Sequence, residues 1–257
     1  MMKIGMIGAG AIGTYVLDKI RDEKNLEVRS ILVRNEEKYK QFEDKYGVNL
    51  YTDFEEFIQS DIDIVVEAAN VETAKQWLPQ ILKQKDAVII SIGALADEAY
   101  NTKINEILEV SGHQLYLPSG AIGGLDFIQN IKAAGLLKEV TIETRKPAHT
   151  LVDEKITEEK IVFEGPAKEA IKQYPKNVNV SIALSLAGIG LNETKVVLVA
   201  DPNVTENSHT IKVLGETGIA TFNMSNKPLP TNPKSSYQAA VSILGTLKKI
   251  VQPIKVG

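Results

Sequence analysis

The sequence predicts an α/β protein: a Rossmann-type doubly wound parallel sheet, followed by a second α+β domain with a largely antiparallel or mixed sheet. Three observations carry that expectation. Apolar, strand-like runs alternate with helix-like segments over the first 120 residues, which is the signature of right-handed βαβ units. The loop Gly8-x-Gly10-x-x-Gly13 follows the first run directly and opens the first helix. Beyond residue 120 the runs are rich in β-branched residues and are joined by turn chemistry. The expected domains are therefore 1–120 for dinucleotide binding and 121–232 for substrate binding and dimerisation, with the C-terminal helical segment 233–257 packing back on the first.

Each element has its own signal. "KIGMIG" (3–8) is a short apolar strand, and "AIGTYVLDKIRDE" carries apolar residues at helical spacing. "LEVRSILV" (26–33) is the second strand, "EEKYKQFEDKYG" a polar helix and "NLYTD" a short strand. "IDIVVEAAN" (62–70) and "DAVIISIG" (86–93) are nearly continuous apolar strands, as a sheet covered on both faces requires. The helices "VETAKQWLPQILKQK" and "DEAYNTKINEILEVSG" follow them, and "QLYLPSG" (114–120) closes the series. In the second half "EVTIETRKP", "KIVFEG", "KVVLVADP", "SHTIKVLGE" and "IATFNMSN" read as strands, with helices around 122–136, 166–173 and 179–190. The tail "SSYQAAVSILGTLKKIV" reads as one helix, with Ser235 or Ser236 as N-cap and lysines in its last turn.

Composition removes several function classes. A formal charge of −4, with no basic run longer than "LKKI", argues against a nucleic-acid partner. With no cysteine, thiolate catalysis, disulfides and Cys-ligated metals are excluded, and no metal cluster suggests itself. The longest apolar stretch, "VSIALSLAGIGL", is too short for the roughly 20 residues of a membrane span, so no membrane partner and a cytoplasmic location are expected.

The glycine loop points to a dinucleotide. Gly8 permits the tight turn, Gly10 lets backbone approach the pyrophosphate, and Gly13 lets helix and strand pack closely; Ala11 and Ile12 begin the helix whose N-terminus faces the phosphates. The acid expected after the second strand, to bond the ribose 2′-hydroxyl, is missing. Val33 stands there and Arg34 follows, which leans the choice between NAD and NADP toward NADP. Small residues end two later strands, Ala68 and Ala69 in "EAAN", Gly93 and Ala94 in "SIGALAD", and would let ribose and nicotinamide lie close to backbone. Among the histidines, His113 precedes a strand and reads as structural, and His149 follows one. His209 sits in "DPNVTENSH" either as an acid/base or as a turn former; its own residues leave that open.

An ordered set of motifs resembles the L-aspartate dehydrogenases that feed NAD biosynthesis. They are "VVEAAN", "SIGALAD", "LPSGAIGGLD", "TRKP", "FEGPAKEAI", "YPKNVNVSIALSLAG", "DPNVTENSH" and "NPKSSYQAAVSIL", and they reach almost from end to end. The resemblance implies a Rossmann domain joined to a dimerising α+β domain, with the site in the cleft between them. It implies Ala121 and Asn179 as cofactor contacts and His209 as the active-site histidine. Asn207, itself compatible with a turn, is expected beside it to help place substrate or water. Departures are Val33 in place of the ribose acid, Lys168 where arginine is common and Ser235 where threonine is common. A dicarboxylate substrate needs cations. Lys146 and Lys234, the latter at the start of the last helix, are the candidates, and Arg145 is expected to be solvated.

The implied reaction is NAD(P)-dependent conversion of L-aspartate to iminosuccinate and oxaloacetate, or the reverse from oxaloacetate and ammonia. A homodimer and a functional link to quinolinate synthase go with it. Rival readings are another two-domain oxidoreductase, of homoserine dehydrogenase or dihydrodipicolinate reductase type, and a dinucleotide-binding redox sensor without catalysis. Sugar dehydrogenases usually carry Glu-Lys-Pro after the fifth strand, where this chain has "SIGALAD".

Overall fold

The computed structural model describes residues 1–175 and 179–255, apart from the side chains of residues 233 and 234. It divides into two compact units, Met1–Pro118 with Ala239–Gly257, and Ser119–Gln238.

The first unit runs β1 (Met2–Ile7), α1 (Ala11–Ile20), β2 (Leu26–Leu32), α2 (Gln41–Tyr46), β3 (Asn49–Tyr51), α3 (Phe54–Ile58), β4 (Ile64–Glu67), α4 (Val71–Ile81), β5 (Asp86–Ile89), α5 (Glu98–Ser111) and β6 (Leu115–Tyr116). All six strands are parallel, in the order β3-β2-β1-β4-β5-β6. Strand order reverses between β1 and β4, so the loops leaving those two strands open a crevice at the switch point, where such sheets take their ligands.

Local chemistry sets the helix ends. Asp53, Asn70 and Asp97 cap α3, α4 and α5, each carboxylate or amide oxygen accepting a backbone N–H three residues on. Pro79 lies in the last turn of α4, where it cannot donate to the carbonyl of Lys75; the Tyr100 hydroxyl donates to that carbonyl instead, at 3.1 Å.

The second unit runs α6 (Leu125–Ala133), β7 (Leu137–Pro147), β8 (Lys160–Pro166), α7 (Ala167–Gln173), α8 (Asn179–Ala187), β9 (Lys195–Asp201), β10 (Asn207–Gly215), β11 (Gly218–Asn226), β12 (Pro228–Leu229) and β13 (Asn232–Ser236). Its five-stranded sheet has the order β11-β10-β7-β9-β8 and is mixed: β7 and β9 are parallel, the other pairs antiparallel. Val140 and Ile142 of β7, Val196 and Leu198 of β9, and Ile211 and Val213 of β10 form one apolar core with Ile128, Ala170 and Leu184 of the three helices. The opposite face carries Thr141, Thr210, Lys212, Thr221 and Asn223, none of them buried. A last helix, α9 (Tyr237–Val251), buries Ile243 and Leu247 among Ile4, Met6 and Val16 of the first unit's core.

Four expectations need correction. The strand expected over 86–93 stops at Ile89, and Ile92–Ala96 is a 3₁₀ turn, because both the N–H and the hydroxyl of Ser91 are drawn to a buried carboxylate. The polar helix after β2 is a 3₁₀ turn (Glu37–Tyr39) followed by the short α2. Lys234 does not start the last helix; it lies on β13, half of a hairpin with β12 that "LPTN" turns, and its side chain falls outside the described residues. Ser236 precedes α9 but does not cap it, since its buried Oγ has no hydrogen-bond partner among the described residues, while the Ser235 Oγ accepts from Asn232.

Candidate active site

Two groups of residues carry the chemistry, one in each unit. In the first, Gly8 follows β1 with φ +97, a conformation that side chains disfavour, and a Cβ there would meet Ala69 Cβ at 2.9 Å. At Gly13 a Cβ would meet the Gly8 carbonyl at 2.6 Å, so helix and turn touch only because the residue is glycine. Gly10 is different: it is exposed, its φ is an ordinary −74, and nothing lies within 4 Å of where a Cβ would stand. Space, not torsion, is what glycine supplies there. The first turn of α1, with Ala11 and Ile12, has no acidic side chain to compete for its N–H groups. The cradle therefore fits a pyrophosphate.

Around it, Val33 is buried and Arg34 is exposed, with no ion pair among the described residues. Ala68 donates its N–H to Ile7, Ala69 is exposed, Gly93 is half-buried, and Ala94 is buried and donates to the Ser91 carbonyl. Glu67, which sequence reasoning missed, is 1% exposed at the end of β4 and accepts hydrogen bonds from Ala69 and Ser91. Its signal was a charged residue inside an otherwise apolar strand.

In the second unit the apolar sheet face turns polar at one level in two adjacent strands. On β7 the inward series Val140, Ile142 continues as Thr144 and Lys146; on β10, Val213, Ile211 continues as His209 and Asn207. His209 and Thr144 are direct cross-strand partners. His209 is 5% exposed, and its Nδ1 lies 3.0 Å from the fully buried Thr144 Oγ1. Burial, and secondly the charge of Lys146, pushes the imidazole from 6.5 down to about 4. Burial likewise brings the Lys146 ammonium down to about 8. Beside them Asn226, paired with Asn207, is buried and donates to the carbonyl of the buried Ala121 at 2.9 Å.

Arg145 is half-buried and ion-paired rather than free in solvent. It faces the other side of β7 and is paired with Glu143, Glu159 and Asp201, which raise its already high pKa further. Asp201 in turn accepts the Asn203 N–H at 2.8 Å and so fixes the turn that leads toward His209. His113 is tied to Asp86 at 3.1 Å, between β5 and β6, a structural contact. His149 is exposed in the turn Ala148–Thr150, and its side chain makes no hydrogen bond or ion pair among the described residues. Asn179 is the exposed first residue of α8, and Lys168 lies in α7. Among the described residues there is no group of three potential metal ligands and no helix long and apolar enough to cross a membrane.

Comparison with known proteins supplies an independent finding. Residues 126–250 match the family description "Aspartate dehydrogenase, C-terminal", and residues 8–118 match "Homoserine dehydrogenase, NAD binding domain". The chain is 36% identical to an L-aspartate dehydrogenase of Methanocaldococcus jannaschii and 39% identical to that of Methanosarcina barkeri, with all of both chains covered each time. The crystal structure of aspartate dehydrogenase from Thermotoga maritima matches at a TM-score of 0.81 and 31% identity over 100% of both chains. A homoserine dehydrogenase from Thiobacillus denitrificans matches at 0.64 with 14% identity, over 97% of this chain and 73% of that one, a likeness of fold alone.

Proposed function

This chain belongs to the L-aspartate dehydrogenase family, and from that premise we propose that it oxidises L-aspartate with NAD(P) to iminosuccinate, which water converts to oxaloacetate and ammonia, and that it catalyses the reverse. It is an oxidoreductase that acts on the CH–NH2 group of a small molecule.

When bound, the oxidised nicotinamide supplies the hydride acceptor. The rest falls to this chain's residues. Gly8, Gly10, Ala11, Ile12 and Gly13 hold the pyrophosphate, while Ala68, Ala69, Gly93 and Ala94 give the small surfaces on which the rest of the dinucleotide lies. Ala121 and Asn179 are further cofactor contacts. His209 accepts a proton from the substrate amine and then assists the attack of water on the imine, with Asn207 holding substrate or water. Lys146 and Lys234 receive the carboxylates.

The observation that carries this assignment is the buried His209–Thr144 pair on the same sheet face as Lys146. An imidazole whose pKa is about 4 is neutral at pH 7 and so carries no proton that would block acceptance, although it is a weak base until its surroundings change. A dicarboxylate docked on Lys146 offsets the ammonium that depresses it, raising the affinity of His209 for a proton when substrate is present.

Four finer points belong to the same reading. The exposed Arg34 beside Val33 favours NADP over NAD. The face of the second sheet on which no helix packs among the described residues serves a homodimer. Iminosuccinate hydrolyses readily, so a quinolinate synthase that consumes it is the natural functional partner, and the cytoplasm is the compartment. The deciding experiment is NAD(P)H formation across a panel of amino acids with both cofactors. The expected result is turnover with aspartate and a higher kcat/KM for NADP. A response to homoserine and none to aspartate overturns the substrate, and dinucleotide binding without turnover leaves a sensor.

A further inference from the structure

Glu67 is a buried carboxylate with no place in the chemistry above. Burying such a group is costly, and a hydrophobic residue of similar size would often stabilise a core better. Its contacts suggest what it does instead. Oε1 accepts the Ala69 N–H at 2.8 Å and the Ser91 hydroxyl at 2.9 Å, and Oε2 accepts the Ser91 N–H at 3.2 Å. Its own carbonyl accepts from Ile90 at 3.2 Å. One side chain thus joins the turn that leaves β4 to the turn that leaves β5.

The first of these turns is also a wall of the glycine cradle. A Cβ on Gly8 would stand 2.9 Å from Ala69 Cβ and 3.0 Å from the Ala68 carbonyl, and the Ala68 N–H donates to the Ile7 carbonyl at 2.9 Å, so Ala68–Asn70 lies closely against the phosphate turn. The second turn is the one Ser91 pulls out of the β5 ladder into the 3₁₀ turn Ile92–Ala96. Three loops at the same end of one sheet therefore share a fixed geometry, and the carboxylate lies at the junction.

We propose that Glu67 is a positioning residue for the dinucleotide: it locks the Ala68–Asn70 and Ser91–Ala96 turns into one surface against the glycine loop, and cofactor affinity depends on that lock. The inference rests on dinucleotide binding by this unit. It does not depend on which amino acid is oxidised.

The test measures binding rather than turnover, from the fluorescence of NADPH and of NADH titrated with the full-length protein. In Glu67→Gln an NH2 group replaces one acceptor and confronts the N–H groups it served, and the dissociation constant of the reduced dinucleotide should rise about tenfold. In Ser91→Ala only the hydroxyl bond is lost, and a smaller rise in the same direction is expected. The KM for aspartate should stay within about twofold in both, whereas the KM for the dinucleotide follows its dissociation constant. Val65→Ala, a cavity in the same strand, lowers Tm by a packing loss and should leave dinucleotide affinity unchanged. A folded Glu67→Gln that binds as tightly as the wild type overturns the proposal. If that variant does not fold, unchanged affinity in Ser91→Ala overturns it, and so does loss of affinity in Val65→Ala equal to that in Ser91→Ala. Wild-type protein that binds neither dinucleotide refutes the cofactor reading itself, a separate result.

Discussion

The 3.0 Å contact between His209 Nδ1 and Thr144 Oγ1 fixes which edge of the imidazole is left for substrate, and it makes separable demands on two side chains. His209→Ala should cut kcat by about 10²- to 10⁴-fold with dinucleotide affinity intact. Thr144→Val keeps the volume but leaves a buried ring nitrogen without its partner, at a cost of about 1–3 kcal/mol in stability. Its kcat should fall by less than that of the alanine variant, and the KM for the dinucleotide should not move; an unchanged kcat would remove Thr144 from the site. The buried ring also makes stability depend on pH. Its folded pKa of about 4 lies below the 6.5 of an unfolded histidine, so the unfolded chain binds more protons between those values. Stability is then full above pH 6.5 and falls by about 3 kcal/mol as pH drops toward 4. Urea denaturation at a series of pH values checks this, since His209→Gln should flatten that part of the curve. His209 was legible by its motif, and the alternation His209, Ile211, Val213 could have placed it inward from sequence alone. Thr144 was not legible, because its role comes from the register of two strands separated by 65 residues.

Among the elements, the glycine turn allows the sharpest comparison. Gly10→Ala meets no atom of the protein and should cost no more than about 1 kcal/mol of stability. It should nevertheless weaken dinucleotide binding at least about tenfold, because the methyl group stands where the pyrophosphate approaches. Gly13→Ala collides with the Gly8 carbonyl and should lose about 1–3 kcal/mol of stability as well as affinity. Thermal melts with and without NADPH distinguish the two; a Gly10→Ala protein with wild-type affinity would empty the cradle of its assigned ligand. The strands and helices of the first sheet were readable because their periods of two and 3.6 are strong. The ends of elements were less so. Nothing local in "DAVIISIG" announces that a glutamate 24 residues earlier will draw Ser91 out of the strand. The hairpin of β12 and β13 is hidden in the sequence because "NPKSS" adjoins a strongly periodic helix and has the residues of a cap.

At the scale of the whole molecule, the polar face of the second sheet should bury itself against a second copy. Thr141→Arg, at the middle of that face on β7, should yield a monomer by sedimentation equilibrium with the far-ultraviolet dichroism of the wild type. A dimer that survives the arginine would move the interface elsewhere. The fold class was legible because alternation of elements and the glycine loop are properties of the chain as a whole. The carboxylate-binding cations were less so: of Lys146 and Arg145, adjacent on β7, only the first shares the face of His209, and Arg145 is paired with Glu143 on its own strand and with Glu159 and Asp201 from farther along the chain.

The return of α9 to the first core has a consequence for how the protein is made. Ile243 and Leu247 pack against Ile4, Met6 and Val16, yet the ribosome reaches them only after the whole second unit has been synthesised. Domains fold from the N-terminus as synthesis proceeds, but the unit begun first here is completed last. A nascent chain paused anywhere within 119–238 carries a nucleotide-binding sheet with an open apolar groove, a surface suited to chaperone capture until α9 fills it.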